Sequence, residues 1–213
     1  MSRIDFSLYL ITDRRQTTGR DLPAVVEEAL AGGVRAVQLR EKDLSPRELL
    51  ELARAMRELT GRYGAKLIIN DRADIALAAG ADGVHLGEAS IPADTARQIV
   101  GASRLIGVSC HSKEGALAAE KSGADFITFG PVYPTPSKAA YGAPMGVERL
   151  AETVALLRIP VFALGGIKRE NAPEVLATGA AGVALISAII AAVNPNEEAR
   201  AFQTLLEQGR RTE

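Results

Sequence analysis

Ala79-Gly80-Ala81-Asp82-Gly83-Val84-His85 is the stretch that decides the fold. A glycine stops a helical segment, two or three residues turn the chain, and a strand begins. The same arrangement returns as Ala31-Gly32-Gly33-Val34-Arg35-Ala36-Val37, as Ser122-Gly123-Ala124-Asp125-Phe126-Ile127-Thr128 and as Thr178-Gly179-Ala180-Ala181-Gly182-Val183-Ala184. These are helix-to-strand connections that solve one packing problem repeatedly, so their glycines read as structural. They precede the even-numbered strands, as in a barrel built from two-βα units.

Outward from these turns, short apolar runs alternate with helical periodicity along the whole chain. Strands are expected at Leu8 to Ile11, Ala36 to Leu39, Lys66 to Ile69, Gly83 to Leu86, Leu105 to Val108, Phe126 to Phe129, Val161 to Leu164 and Val183 to Ile186. Ser45-Pro46-Arg47-Glu48 reads as a helix cap with Pro at the first position and Glu at the third, opening a helix to about Tyr63. The last helical stretch is interrupted near Asn194-Pro195. Eight strands each followed by a helix imply parallel strands with right-handed crossovers. The expectation is a single-domain (β/α)8 TIM barrel over residues 1–213, near the lower size limit of roughly 200 residues. An open doubly wound sheet is the alternative.

Composition narrows the function. Hydrophobic residues make up 47% of the chain while aromatics are 4% and Trp is absent, so the core must be aliphatic and Ala-rich. A net charge of −1 speaks against a nucleic-acid surface. One cysteine, Cys110, excludes an internal disulfide framework and reads as inert packing in a reducing compartment. No charged-then-apolar start suggests a signal peptide, and the longest apolar run, Val183 to Val193, is too short to span a membrane. A cytoplasmic protein acting on small molecules is expected, and assembly into a homo-oligomer is left open.

In a barrel of this kind chemistry sits at the C-terminal ends of the strands. There the sequence places Arg40 and Lys42, with Gln38 inside the second strand, then Asn70 and Asp71, Glu88 and Ser90, Ser109 and His111. Thr135, Ser137 and Lys138 come after the sixth strand on a proline-rich loop, Gly130 to Gly146, that has neither helix nor strand periodicity. Gly165-Gly166 and Ser187 come after the last two strands, where this fold often holds phosphate on backbone N–H groups. Cations and hydroxyls gathered at one mouth suit phosphate handling. Asp71 is the candidate Mg²⁺ ligand, because Mg²⁺ commonly takes one or two carboxylates plus phosphate oxygens. His85, inside an apolar strand, reads as a barrel-interior residue; His111 is open between helix-start filler and an acid/base.

In order and spacing, these pieces resemble the thiamin-phosphate synthase family and its thiazole tautomerase relatives over nearly the whole chain. The matching segments are Tyr9 to Asp13, Gln38 to Lys42, Ile69 to Arg72, Gly83 to Gly87, Gly107 to Ser109, Gly130 to Thr135, Leu164 to Ile167, Gly182 to Ala184 and Ile186 to Ile189. The resemblance implies Mg²⁺-dependent coupling of a hydroxymethylpyrimidine diphosphate to a thiazole phosphate. It implies that Gln38, Leu39, Arg40, Glu41, Lys42, Asn70, Ser109 and Lys138 hold the pyrimidine diphosphate. Thr135, Pro136, Ser137, Gly166, Ile186 and Ser187 would hold the thiazole phosphate, and Asp71 the metal. The family's second acidic metal ligand is replaced here by Ser90, preceded by Glu88-Ala89. The tautomerases also lack that acid and use a histidine in the position of His111, so a tautomerase is the first alternative. A non-catalytic thiamin-phosphate binding protein is the second.

Overall fold

In the computed structural model, which describes residues 4–135 and 143–209, eight parallel strands close in chain order, β1 pairing with both β2 and β8. The strands are β1 (Leu8–Ile11), β2 (Ala36–Leu39), β3 (Lys66–Asn70), β4 (Gly83–Leu86), β5 (Leu105–Cys110), β6 (Phe126–Phe129), β7 (Val161–Leu164) and β8 (Gly182–Leu185). The helices are α1 (Leu22–Ala31), α2 (Pro46–Arg62), α3 (Ala73–Ala78), α4 (Ala93–Val100), α5 (Lys113–Lys121), α6 (Gly146–Leu156), α7 (Ala172–Leu176), α8 (Ser187–Ile190) and α9 (Pro195–Gly209). The expected barrel is therefore the observed one, and the open sheet is excluded. Two strands run on further than expected, because Asn70 and Ser109 still pair with β4 and β6.

The repeated turn works as its sequence suggests. Gly33, Gly80, Gly123 and Gly179 all sit at positive φ, where only glycine is unstrained. At three of them the residue after the glycine bonds back to the helix: Val34 N–H to Ala29 O at 3.2 Å, Ala81 to Ala76 at 2.9 Å and Ala124 to Ala119 at 3.0 Å. The aspartates in two of these turns seal the bottom of the barrel. Asp82 accepts from the Leu67 N–H at 2.8 Å and from the Arg57 guanidinium of α2 at 2.5 Å. Asp125 repeats the device one two-βα unit later, with the Ile106 N–H at 2.7 Å and Arg97 of α4 at 2.6 Å. The Ser45–Glu48 capping box that opens α2 is formed in both directions.

Both faces of every strand are covered, so polarity does not alternate along them. One set of side chains, including Leu10, Val37, Leu39, Leu67, Ile69 and Phe129, packs outward against the helices. The alternate set fills the barrel: Tyr9, Ile11, Ala36, Ile68, Phe126, Phe162 and Ala184, closed below by Phe6. Four aromatic rings pack against one another there, with centroids 5.2 Å apart for Phe6–Phe162 and 5.6 Å for Phe126–Phe162. Gly107 belongs to this interior layer. A Cβ there would collide with His85 Nδ1 and lie 2.5 Å from Phe126 Cζ, so the missing side chain is what admits the His85 ring.

Candidate active site

Above the interior layer a cavity of about 890 Å³ opens at the C-terminal ends of the strands. That volume suits a small-molecule substrate. Gln38, Arg40, Lys42, Asn70, Asp71, Ser90, Ser109, His111 and Ile186 all line it, so most of the expected site converges.

The loop after β2 explains why alternate residues reach the cavity. Arg40 and Lys42 face it, while Glu41 between them is buried and does not. Glu41 Oε1 accepts from the Thr12 hydroxyl at 2.6 Å, and its two oxygens accept from the Arg14 N–H at 3.2 and 3.1 Å. The same Thr12 oxygen accepts from the Arg40 N–H at 2.9 Å. The end of β1 thus anchors the loop that carries the two cations. Glu41, expected as a substrate contact, is instead occupied with this anchoring. Leu39, expected in the same set, has its side chain in the outer core, because strand alternation turns it opposite to Gln38. Among the described residues neither Arg40 nor Lys42 forms an ion pair with protein, so both charges are available to an anion.

Asp71 stands at the end of β3 with φ of 60°, a conformation that non-glycine residues rarely adopt. Its carboxylate is held from three sides: Asn70 Nδ2 donates to Oδ2 at 2.8 Å, the Gly87 N–H to Oδ1 at 3.3 Å, and the Ser90 hydroxyl to Oδ1. Ser90 Oγ in turn accepts from Gly87 N–H at 2.7 Å. The loop after β4 therefore folds back onto Asp71 and sets the Ser90 hydroxyl against its carboxylate. Among the described residues no group of three or more His, Cys, Asp and Glu side chains is arranged to hold a metal. The donor set is one carboxylate with an adjacent hydroxyl, which fits a hard cation whose remaining ligands are substrate oxygens and water.

His111, beyond β5, is half-buried and places Nδ1 against the Gly130 carbonyl oxygen. A carbonyl only accepts, so Nδ1 carries the hydrogen, and in the neutral ring Nε2 is the basic nitrogen. Cys110 points away from the mouth and burial, with a smaller contribution from the Glu88 charge, pushes its thiol up to about 12, in keeping with inert packing.

On the β6–β8 side, the Val132 N–H bonds Leu164 O at 2.9 Å and the Tyr133 N–H bonds Gly165 O at 3.0 Å, tying the loop after β6 to the end of β7. Gly165 and Gly166 have φ of 97° and 67°. Sequence reasoning treats these glycines as leaving room for an anion. The structure adds a different reason: a Cβ on Gly165 would lie 2.6 Å from Pro131 Cβ, and one on Gly166 2.7 Å from Tyr133 Cβ. Thr135, Gly166 and Ser187, the first residue of α8, stand outside the lining of the main cavity, while Ile186 joins it. Pro136, Ser137 and Lys138 lie outside the described residues.

Sequence reasoning missed Asp13, Arg15 and Gln16, which line the cavity after β1. Their signal was position: they stand directly after the first strand, as Arg40 and Asp71 stand after the second and third. Asp13 accepts from Arg15 Nε at 3.0 Å and Gln16 Nε2 at 2.8 Å. Burial works to raise its carboxyl, but those hydrogen bonds and the Arg15 charge together bring it below the usual range. Arg72 and Asp74 also reach the rim, paired with each other at 2.5 Å.

The sequence model of the family described as thiamine monophosphate synthase matches residues 8–189. A Geobacter sulfurreducens protein, provisionally named a thiamine-phosphate synthase, is 71% identical over 206 residues, 97% of each chain. The thiamine-phosphate synthase of Clostridium novyi is 46% identical over 88% of this chain and 92% of its own. Among solved structures, the thiamine phosphate pyrophosphorylase of Pyrococcus furiosus superposes with a TM-score of 0.88 at 40% identity, covering 95% of this chain and 96% of its own. The 3-hexulose-6-phosphate synthase of Salmonella typhimurium, at 18% identity and a TM-score of 0.72, shares the fold alone. With its barrel closed, its cations gathered at one mouth and its relatives matched along nearly its full length, this chain belongs to the thiamine monophosphate synthase family.

Proposed function

We propose that the chain is a thiamine-phosphate synthase, joining a hydroxymethylpyrimidine diphosphate to a thiazole phosphate with release of diphosphate. The observation that carries this reading is the grouping of two cations, Arg40 and Lys42, that have no ion-pair partner among the described residues, with the Asp71 carboxylate around one cavity whose floor is made of Gln38 and Ser109. Arg40 and Lys42 grip the diphosphate and offset the charge that grows on it as the methylene C–O bond breaks. Asn70, Gln38 and Ser109 hold the pyrimidine so that its methylene faces the thiazole nitrogen, which forms the new C–N bond. Thr135, Gly166, Ile186 and Ser187, with Pro136 and Ser137 by family resemblance, hold the thiazole phosphate, and by the same resemblance Lys138 joins Arg40 and Lys42 on the diphosphate. Such a reaction needs positioning and charge stabilisation rather than a protein nucleophile. Mg²⁺, held by Asp71 with Ser90 beside it, would add charge neutralisation on the diphosphate oxygens. The same reading puts the chain in the cytoplasm, acting on small molecules; no described helix is long and apolar enough to cross a membrane.

The test is to mix protein, Mg²⁺, pyrimidine diphosphate and thiazole phosphate and measure diphosphate release, with Lys42→Ala and Lys138→Ala alongside. Release that collapses in both variants is the expected result. The His111 orientation favours one second reading, the tautomerase, since the ring lines the cavity and is held through Nδ1 by the Gly130 carbonyl. Thiazole isomerisation without diphosphate release would establish that reading in place of the first, and tight product binding without turnover would point to a binding protein.

A further inference from the structure

Beneath the cavity lies a chain of hydrogen bonds that the proposed chemistry does not use directly. Gln38 Nε2 donates to the Tyr9 hydroxyl at 3.0 Å. Tyr9 Oη lies 3.3 Å from His85 Nδ1, and His85 Nε2 lies 3.0 Å from Ser109 Oγ. Thr128 Oγ1 is 3.3 Å from the same serine oxygen and 3.4 Å from His85 Nε2. Tyr9, His85, Gln38 and Thr128 are at most 2% exposed, so water cannot substitute for any of these partners. Four strands contribute, β1, β2, β4 and β5, with β6 supplying Thr128. Only the two ends, Gln38 and Ser109, line the cavity.

With the Gln38 amide turned so that Nε2 faces Tyr9, donor and acceptor counting sets the polarity of the chain. Tyr9 has one hydrogen. It accepts from Gln38, so its own hydrogen must go to His85 Nδ1, the remaining acceptor within reach. Because Nδ1 accepts from Tyr9, the ring's hydrogen is the one on Nε2. His85 then donates it to Ser109 Oγ at 3.0 Å, the nearer of the two oxygens it faces, Thr128 Oγ1 being 3.4 Å away. Ser109 Oγ accepts from His85 and Thr128, which uses both lone pairs. Its hydroxyl hydrogen can then only point into the cavity. At the other end, Gln38 has committed Nε2 to Tyr9 and offers its carbonyl oxygen. The floor presents an acceptor at Gln38 and a donor at Ser109, and the two are coupled: rotating the Gln38 amide would reverse every bond along the chain.

We propose that Tyr9 and His85 are positioning residues that lock Ser109 as a hydrogen-bond donor and Gln38 as an acceptor, so that the floor selects a heteroaromatic ring bearing an amino group beside a ring nitrogen. This rests on the synthase reading for the identity of the ring. An aminopyrimidine offers a donor N–H₂ to Gln38 and an acceptor ring nitrogen to Ser109. The 4-oxo counterpart offers the reverse, a carbonyl oxygen and a ring N–H. A site built on buried hydrogen-bonding groups rejects a mismatched ligand strongly, because its own groups are left unpaired.

The test is calorimetric binding of the 4-aminopyrimidine diphosphate and its 4-oxo counterpart to the intact protein, with turnover measured separately. Wild type, Tyr9→Phe, Ser109→Ala, the double variant and His85→Gln are compared. Wild type is expected to prefer the amino compound by about a hundredfold or more. Tyr9→Phe, which removes one oxygen and no volume from the core, should cut that preference about tenfold while weakening the oxo compound less. In the Ser109→Ala background Tyr9→Phe should change the preference by less than about twofold, since the residue it acts through is gone. His85→Gln, which can still present an N–H to Ser109, should retain more of the preference than Tyr9→Phe. A Tyr9→Phe protein that weakens both compounds equally, or that adds its full effect to Ser109→Ala, would overturn the proposal. Equal binding of the two compounds by wild type would also overturn it. A strong amino preference without turnover would sink the synthase reading and leave the relay standing.

Discussion

Replacing Thr12 by valine tests whether the end of β1 holds the cation-bearing loop in place. Valine matches threonine in shape, so the packing of this wholly buried position is kept and the hydroxyl alone is lost. Two bonds go with it: the donation to Glu41 at 2.6 Å and the acceptance from the Arg40 N–H at 2.9 Å. A hydrogen bond to a charged group contributes about 1.5–3 kcal/mol, and a backbone donor left without its partner costs about 1 kcal/mol or more. Arg14 still holds Glu41, so the carboxylate keeps part of its network. The sum is roughly 3 kcal/mol, which for a chain of this length lowers the melting temperature by about 6–12 °C. The functional effect should be specific. Arg40 loses the anchor on its own N–H, so KM for the diphosphate substrate should rise on the order of tenfold, while Thr12→Ser keeps both bonds and should restore KM, with a smaller loss of melting temperature from the missing methyl. Thermal and urea melts of the three proteins, with steady-state kinetics on each, decide the matter. A Thr12→Val protein that melts within about 2 °C of wild type and keeps its KM would show that the anchoring described for Glu41 is not what orders this loop.

The same geometry sets three further expectations. Ser90→Asp would place a second carboxylate where a hydroxyl now donates to Asp71, so the variant should melt below wild type without divalent cation and recover, or exceed it, with Mg²⁺; a thermal shift indifferent to Mg²⁺ would separate Ser90 from any metal site. The Cys110 thiol, held near 12 by burial, should resist a thiol-specific disulfide reagent at pH 8 in the folded protein and react only as the barrel unfolds. His85, at about 3 in the fold, takes up a proton near 6.5 only when the chain unfolds, so the unfolded state binds more protons below that pH. Stability should therefore be unaffected by this group above about pH 7 and fall by roughly 2 kcal/mol by pH 5, a loss that His85→Gln should reduce in urea melts at the two pH values.

What could be read from the sequence was whatever a local pattern encodes. The glycine turns and the eight apolar runs each occupy a few consecutive residues, and they are enough to give the barrel. Arg40, Lys42, Asp71 and Ser90 were legible because a polar residue directly after an apolar run in this fold has one place to go. Which face a strand residue takes was not legible, because both faces of a parallel barrel strand are apolar; Leu39 and Gln38 differ in direction through a register that pairing with β1 and β3 imposes. Glu41 was misjudged for a related reason. Its partner Thr12 is 29 residues away, and nothing near Glu41 in the chain announces that its charge is already spoken for. The Tyr9–His85 contact spans 76 residues. From the chain alone His85 could be placed inside the barrel but not given a partner. Three separate choices converge on that ring: a hydroxyl on β1, a glycine on β5 that vacates space for it, and a serine two residues further along the same strand. An apolar residue at position 85 would fill the layer without either hydrogen-bonded neighbour, so the histidine is explained by what it connects rather than by the core it occupies.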